Sequence, residues 1–289
     1  SGDPPNILIG SQSHLTFNDF ISHMGPIAII VLAVVLLIQA NLFVKQFTVS
    51  EKAKKRLTDA YPEEAIIHPG RLRKALIVLG LVFTGFFTGH LFHIETGIIA
   101  LGGAMLMALV CRINIHDGLA KVEWDTILFF VGLFMLVGGL EDNGLFDLLG
   151  HKLIDMTNGN LMMTCIAILW FSAIFSACVD NIPLVIATIP IIETVLPEFA
   201  KDMNLVLGSA EANTLIAEPL YFSLALGACL GGNGTLIGAS ANVVVAQIAQ
   251  RNNYRLTFMD FTRQGFPVML LSSALATVYV YLRYFWVSV

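Results

Sequence analysis

Charged side chains are scarce in this 289-residue sequence: only 13% of the residues are Asp, Glu, Lys or Arg, whereas 56% are hydrophobic. A water-soluble domain carries about a quarter charged residues, because its surface must be hydrated. The net charge of -5 also excludes a nucleic-acid-binding protein, whose partner is a polyanion. Apolar runs of about 20 residues, long enough to cross ~30 Å of hydrocarbon, recur along the chain. The sequence therefore predicts an integral, multi-pass membrane protein that has the lipid bilayer as a partner.

The motifs of common enzymes and metal proteins are missing. The sequence has no GxxxxGK[ST] loop, no HExxH pair and no Ser/His/Asp pattern, so we expect no enzymatic activity and no cofactor other than a bound Na⁺. No two cysteines form a CxxC pair, and we interpret all four as small buried hydrophobic residues: Cys111, Cys165, Cys178 and Cys229. Residues 1–6 lack an initiating Met and a basic leader, and we expect a turn-like start cut from a longer chain.

Hydropathy divides the chain into alternating apolar and polar segments. The predicted organisation is the tail of a first repeat with its last transmembrane helix (1–44, span 26–44), a cytoplasmic loop (45–74), scaffold transmembrane helices (75–140, spans 75–92, 94–111 and 122–140), an interfacial amphipathic segment (141–160), a re-entrant hairpin (161–200), an interrupted transmembrane helix (217–250) and a last transmembrane helix (265–286).

The distribution of basic residues favours one orientation in the membrane. Loop 45–74 holds eight of the sixteen Lys and Arg residues, and the short loops 112–121 and 251–263 raise the total to thirteen. Because cytoplasmic loops are enriched in Lys and Arg, we place all three in the cytoplasm. This orientation requires segment 161–200 to enter and leave on the outer side as a hairpin. A single crossing there would instead place loop 251–263 outside.

The start of the chain matches its final third. The matching pairs are GDPPNILI (2–9) with GASANVVV (238–245), LTFNDF (15–20) with LTFMDF (256–261), and Gly25-Pro26, which opens the first span, with Gly265-Phe266-Pro267, which opens the last. We interpret the chain as about one and a half copies of an internal repeat. Repeated halves that carry broken helices are typical of secondary transporters.

Polar residues interrupt the apolar segment 161–200 in the sequence SACVDNIP, which runs from Ser176 to Pro183. A carboxylate at a helix centre in the membrane costs roughly 2.5–3.5 kcal/mol, so Asp180 needs a cation, a proton or hydrogen-bond donors. Pro183 lacks an N–H and frees a carbonyl one turn earlier. An unwound tip at Asp180 and Asn181 would offer carboxylate, amide and carbonyl oxygens to Na⁺ or a proton. Asp180 as a simple helix cap is the alternative.

Glycines interrupt the apolar segment 217–250. Four glycines in eight residues disfavour a helix by about 1 kcal/mol each, and they favour unwound backbone that lines a cavity. A helix that restarts near Ser240 would direct its positive dipole end at this gap. The candidate ion- or substrate-binding residues are Gly232, Asn233, Gly234, Thr235, Ser240 and Asn242. Close helix packing by small residues is the alternative, whereas a dinucleotide loop lacks its βαβ context.

Four stretches of the chain, GDPPN, SACVDNIP, GGNGTLIGASANVVVAQIA and VEWDTILFFVGLFMLVGGLEDNGLF, resemble the ion transporter superfamily. Within it, the chain is most similar to the branch of arsenite permeases, NhaD-type sodium–proton antiporters and the melanosomal P protein. This resemblance implies an all-α polytopic membrane protein with the inverted-repeat secondary transporter fold, in which each repeat has a scaffold, a re-entrant hairpin and an interrupted helix. It also implies a homodimer in the full-length protein and an elevator-type transport movement.

The resemblance further implies where ions and substrate bind, because the hairpin tips and interrupted helices bind them in the relatives. Asp180 and Asn181 match the tip of the second hairpin, and Asp180 and Asn181 are the Na⁺ candidates. Gly232 to Thr235 match the facing break, and Asp3, Pro4, Pro5 and Asn6 match the remnant of the first repeat. Carboxylate-carrier relatives have Ser-Asn-Thr at the hairpin tip. The Asp180-Asn181-Ile182 sequence here favours cation or proton exchange over a dicarboxylate substrate.

The predicted function is that of a cation-coupled secondary active transporter, either a Na⁺/H⁺ exchanger or a carrier of another ion driven by Na⁺ or H⁺. One alternative is an arsenite, organic-anion or inorganic-anion permease on the same fold, in which the helix dipole at Ser240 attracts the substrate. A second alternative is an ion channel, in which the breaks line a continuous pore. We expect the 289-residue chain alone to be incompetent for transport.

Overall fold

The computed structural model describes residues 4–13, 15–43, 51, 55, 66–92, 94–251 and 254–286, and every regular element within these residues is helical. The helices are α1 (Pro4–Ser13), α2 (Phe17–Phe43), α3 (Pro69–Thr88), α4 (Thr96–Val110), α5 (Ile115–Leu119), α6 (Trp124–Asp142), α7 (Leu145–Thr157), α8 (Leu161–Ser176), α9 (Asn181–Asp202), α10 (Ala210–Gly231), α11 (Ser240–Arg251) and α12 (Phe258–Trp286). The predicted all-helical, polytopic class is confirmed.

Six of the helices in the described part of the chain are long and apolar enough to cross a membrane. They are α2, α3, α6, α9, α10 and α12. Helices α7 and α8 form a pair bent by 118° at the short break between them. Helix α4 has 15 residues and is only ~22 Å long, so the predicted span 94–111 is too short for a straight crossing of ~30 Å of hydrocarbon.

The chain forms two compact units. One comprises residues 16–18 and 33–126, and the other comprises residues 1–15, 19–32 and 127–289. In the first unit, α3 and α4 pack closely because Gly85 and Gly89 face Ile99, and Gly103 faces Val82. These small residues let the two helices form an antiparallel pair within the membrane.

Helix α10 is the central element of the second unit. In its most apolar window, 67% of the residues are buried, compared with at most 44% in the other five candidate spans. Helices α1, α8, α9 and α12 all pack against α10. Three of the fully buried side chains on it are Leu220, Phe222 and Leu224.

The contact between α8 and α10 depends on two glycines. A Cβ atom at Gly227 would lie 2.3 Å from the carbonyl oxygen of Leu169, and one at Gly231 would lie 2.3 Å from that of Ala173. The hydroxyl of Ser176 also donates to the carbonyl oxygen of Ala228 at 2.7 Å. This spacing of small residues is typical of membrane helices whose backbones touch. Close helix packing, the alternative role considered for the glycines of this segment, therefore applies to Gly227 and Gly231 at the end of α10.

The matching sequences begin helices at equivalent positions. Helix α1 begins at Pro4 and α11 begins at Ser240, and the match of residues 2–9 with 238–245 pairs these two residues. Helices α2 and α12 begin at Phe17 and Phe258, each the third residue of an LTF sequence. The local structure thus repeats with the sequence, while an inverted relation between complete repeats stays a prediction.

Several predicted boundaries are wrong. Helices α2 and α12 begin well before Pro26 and Pro267, which lie inside them. In α12 the reason is a capping box, in which Thr257 and Asp260 satisfy each other's backbone N–H groups. The prolines are tolerated because neighbouring groups can satisfy the freed backbone in a membrane helix. Residues 4–6 are helical rather than turn-like, since Pro suits the first turn of a helix.

The other predicted segments shift by smaller amounts. Residues 69–74 of the predicted loop already belong to α3, and α10 begins at Ala210 instead of residue 217. Residues 45–50, 52–54 and 56–65 of that loop lie outside the described residues. The interpretation of all four cysteines as buried is wrong for Cys178, which is exposed because it lies in the turn after α8, and Cys229 is only partly buried.

We expect Gly231→Ala to lower the stability of the protein by about 1–3 kcal/mol, because the added methyl group would overlap the Ala173 carbonyl. The matched control is Gly132→Ala in α6, where a Cβ would meet no atom within 4 Å. Thermal unfolding of the purified variants in detergent measures the difference. Equal melting temperatures of the two variants would contradict the backbone contact.

Candidate functional site

The turn between α8 and α9 contacts the interruption between α10 and α11. We call residues 176–181 the hairpin tip and residues 232–239 the break. The hydroxyl of Thr235 in the break donates to the carbonyl oxygen of Ala177 in the tip at 2.5 Å. A Cβ at Gly234 would lie 2.9 Å from that of Ala177, and one at Gly238 would lie 2.8 Å from the carbonyl oxygen of Ser176. The structure therefore brings the two predicted parts of the site together.

The hairpin tip is held by backbone and capping hydrogen bonds. The N–H groups of Cys178 and Val179 both donate to the carbonyl of Phe175, at 2.9 Å and 2.8 Å, which closes a tight turn. Asp180 is the N-cap of α9, and its Oδ1 accepts from the N–H of Ile182 at 3.4 Å. Pro183 falls in the first turn of α9, where its missing N–H leaves no intrahelical bond unmade.

The carboxylate of Asp180 does not lie where we expected. It is exposed rather than buried at depth, because a side chain that caps a helix stays beside the helix end. Asn181 next to it is buried, with 8% of its surface exposed. Among the described residues, no Lys, Arg or His side chain forms an ion pair with Asp180. Its negative charge is therefore available to a cation, and the cap alternative describes its local structure.

Asn242 spans the break. Its side-chain amide donates to the carbonyl oxygens of Gly232, at 2.9 Å, and of Thr235, at 3.0 Å. These carbonyls lack their usual helical donors, because the chain leaves the helix at Gly231 and resumes it at Ser240. Asn242 thus satisfies the unwound backbone from the first turn of the following helix. The structure assigns this predicted ligand a clamping role.

The glycines of the break allow carbonyl oxygens to approach one another. A Cβ at Gly232 would lie 2.9 Å from the Gly238 carbonyl oxygen, and one at Gly238 would lie 2.8 Å from that of Gly232. The carbonyl of Ser176 meets the same point from the hairpin tip. Carbonyl oxygens of unwound membrane helices are the groups that coordinate Na⁺ in transporters of this architecture.

The other predicted site residues lie around this junction. Asn233 and Ser240 are exposed, and Gly265 of α12 lies against the carbonyl of Asn233. Asn6 on α1 is buried and accepts a hydrogen bond from the thiol of Cys229 at 3.7 Å, one turn before the break. Asp3 lies outside the described residues. Sequence reasoning missed the carbonyls of Ser176 and Ala177, since no side chain marks them.

No group of three or more His, Cys, Asp or Glu side chains could hold a metal ion in the described ranges. The junction instead presents backbone carbonyls, hydroxyls and amides, with the carboxylate of Asp180 at the hairpin tip. Oxygen ligands of this kind suit a hard monovalent cation better than zinc or iron.

Asn242→Ala should loosen the break, because the amide that joins the carbonyls of Gly232 and Thr235 is lost. Hydrogen–deuterium exchange of peptides that cover residues 232–239 should become faster in this variant. Asn233→Ala, which removes an exposed amide from the same break, is the control and should leave the exchange unchanged. Equal exchange in the two variants would argue against the clamp.

Comparison with known proteins identifies relatives along the whole chain. A family model described as citrate transporter matches residues 1–210. An uncharacterized transporter of Mycobacterium tuberculosis is 39% identical over 284 residues, which cover 98% of this chain and 63% of the relative. An uncharacterized transporter of Synechocystis is 31% identical over 291 residues, with 96% and 63% covered.

The similarity to the P protein is confirmed. The P protein of Sus scrofa is 41% identical over 220 residues, which cover 72% of this chain and 24% of that protein. The chain spans 63% of the length of the mycobacterial relatives, so it corresponds to part of each of them. By its family match and its relatives, this chain belongs to the citrate transporter family of the ion transporter superfamily.

Proposed function

We propose that this chain forms part of a cation-coupled secondary transporter, which exchanges Na⁺ for H⁺ or moves another ion with one of them. The observation that carries the proposal is the junction of the hairpin tip with the break, joined by the hydrogen bond from Thr235 to Ala177. Unwound backbone inside a membrane is stable only where it is buried in protein or lines a cavity. In this proposal the hairpin tip and the break line one cavity together, and their oxygen atoms are the ligands of the ion.

The charge at the junction favours a cation. Asp180 caps the N-terminus of α9, so its carboxylate lies at the positive end of the helix dipole. An ionised carboxylate without a basic partner among the described residues attracts Na⁺ or H⁺. The carbonyl oxygens of the break add partial negative charge close by. In this proposal Asp180 binds the coupling ion, and the clamp of Asn242 holds the break open to it.

The helix starts at matching residues in α1 and α11 support a carrier built from repeats, in preference to a channel. Repeated halves with interrupted helices allow alternating access around a fixed site. A homodimer, an elevator-type movement and a cytoplasmic location of residues 45–74 belong to the same proposal. The mycobacterial relatives are uncharacterized transporters, which supports a role in transport.

A carboxylate permease is the second candidate, because the matching family model is described as citrate transporter. The positive end of α11 at Ser240 could attract such an anion. The carboxylate of Asp180 opposes it, since like charges repel. Citrate would therefore require a cation bound at the junction first.

Asp180→Asn should abolish ion-coupled transport by the full-length protein in vesicles while leaving its folding intact. Asn is as good an N-cap as Asp, so the substitution removes the charge and keeps the cap. Asp202→Asn, at the exposed other end of α9, is the matched control and should transport normally. Undiminished ion-driven exchange by the Asp180→Asn protein would refute the proposed role.

Radioactive tracers separate the two candidate functions. Proteoliposomes of the full-length protein are loaded with Na⁺, and uptake of labelled citrate and of ²²Na⁺ is measured with and without a pH gradient. A cation exchanger moves ²²Na⁺ against H⁺ in the absence of citrate. Citrate uptake that needs Na⁺, with no ²²Na⁺ flux when citrate is omitted, would instead favour the carboxylate permease.

A further inference from the structure

A second polar cluster lies around Glu218, in the first half of α10. Its centre is His23 on α2, whose Nε2 is 3.8 Å from a carboxylate oxygen of Glu218. Glu218 precedes Gly232 by 14 residues, so the cluster is ~20 Å from the break along the helix axis. The side chains of His23 and Glu218 are only 15% and 17% exposed. Two titratable groups thus share a nearly buried place that the proposed ion site does not use.

The end of α12 is fastened to His23 at three points. The Tyr279 hydroxyl donates to the backbone carbonyl of His23 at 2.6 Å. Arg283 donates from Nε to the imidazole Nδ1 at 3.3 Å, and the Tyr284 hydroxyl lies 2.5 Å from the same nitrogen. Residues Tyr281–Trp286 form a π-helical turn, and such turns occur frequently at functional sites.

These contacts determine where the proton of His23 lies. An arginine Nε always carries a hydrogen, so the Nδ1 that receives it must be unprotonated. The Tyr284 hydroxyl is then a second donor to that nitrogen. The imidazole is neutral in this arrangement, with its proton on Nε2 and facing Glu218. The contact with Arg283 therefore implies a His23 that carries no proton on Nδ1.

Stacking holds the plane of the His23 ring. His23 stacks on Phe222, with ring centroids 4.6 Å apart and planes 12° apart, and it also stacks on Tyr284 at 5.8 Å. A proton on Nδ1 would point an N–H group at the N–H group of Arg283. It would also place two positive charges side by side, with no carboxylate paired to Arg283 among the described residues. The arginine must then leave.

A cavity lies beside this nitrogen. His23, Glu218, Tyr279, Arg283 and Tyr284 line a cavity of about 530 Å³, together with Thr214. Thr214 lies in a second π-helical turn, Asn213–Ala217, which precedes Glu218 on α10. The charged groups that act on His23 are Asp19 on its own helix, Glu218 on α10 and Arg283 on α12. The two carboxylates would stabilise the imidazolium once Arg283 has moved.

We propose that His23 is a proton-binding site separate from the hairpin tip and the break, in which Nδ1 holds either a proton or Arg283. Proton binding there releases the end of α12 from α2, and proton loss fastens it again. The ligand is the proton itself, delivered through the cavity. This site acts whether or not the break binds a cation, so it stands independently of the proposed function.

The protonation state is tested by nitrogen NMR of the full-length protein in lipid bilayers, with ¹⁵N-labelled histidine and His23→Gln to assign the signal. At about pH 8 the Nδ1 of His23 should be unprotonated and hydrogen-bonded, and acidification to about pH 5 should convert it to an imidazolium. A proton on Nδ1 at the alkaline pH, or no conversion in acid, would overturn the proposal. This measurement needs no folded variant beyond the one used for assignment.

The release is tested by the distance between spin labels at Ser22→Cys and Trp286→Cys, two exposed positions on α2 and α12. Cys178 and Cys229, the two cysteines that are not buried, are replaced by serine in this background. Acidification should lengthen and broaden the distance distribution. His23→Gln should stay short at every pH, because its amide oxygen accepts from Arg283 but takes up no proton.

Two control variants sharpen this experiment. His151→Gln removes a histidine that pairs with Glu198 elsewhere in the unit, and it should keep the acid response. Arg283→Gln should give a distance that does not change with pH, because the contact that a proton on Nδ1 would break is absent throughout. An acid response that survives His23→Gln, or disappears in His151→Gln, would overturn the proposal.

Discussion

The backbone contact of α8 with α10 is the constraint on which the rest of the second unit depends. At Gly227 and Gly231 the two helices approach so closely that a single methyl group would overlap a carbonyl oxygen. This approach continues past the end of both helices, where Thr235 bonds to Ala177. In a bilayer the apolar surfaces of two helices gain little from leaving lipid, so close packing and hydrogen bonds must hold them together. The site is positioned by the same contact that stabilises the unit.

At the junction, residues with a structural task also carry polar groups of the candidate site. Asp180 ends the hairpin tip by capping α9, and this task keeps its carboxylate near the surface of the described part of the chain. Among the described residues, no Lys, Arg or His side chain forms an ion pair with this carboxylate. Asn242 lies in the first turn of α11, and its side chain holds the unwound backbone of the break by two hydrogen bonds. A break held by a side chain keeps its carbonyls aligned without a continuous helix.

Two regions along α10 differ in kind. The end at the break is rich in glycine and in backbone carbonyl oxygens. Around Glu218, in the first half of the helix, titratable side chains on three helices meet at His23. Helix α12 contacts both regions, at Gly265 and at Arg283 respectively. One helix thus links a region made of backbone with one made of side chains.

The sequence by itself determined the membrane class, the interrupted helices and the match of the segments that form α1 and α2 with those that form α11 and α12. Hydropathy and glycine content act locally, so these features are readable without the fold. The tertiary structure alone decided that Asp180 is an exposed cap, that Asn242 is a clamp and that Gly231 packs while Gly238 lies at the junction. It also decided the cluster at His23, whose members are separated by up to 261 residues. These assignments depend on contacts between segments that are far apart in the sequence, and the order of the residues does not reveal such contacts.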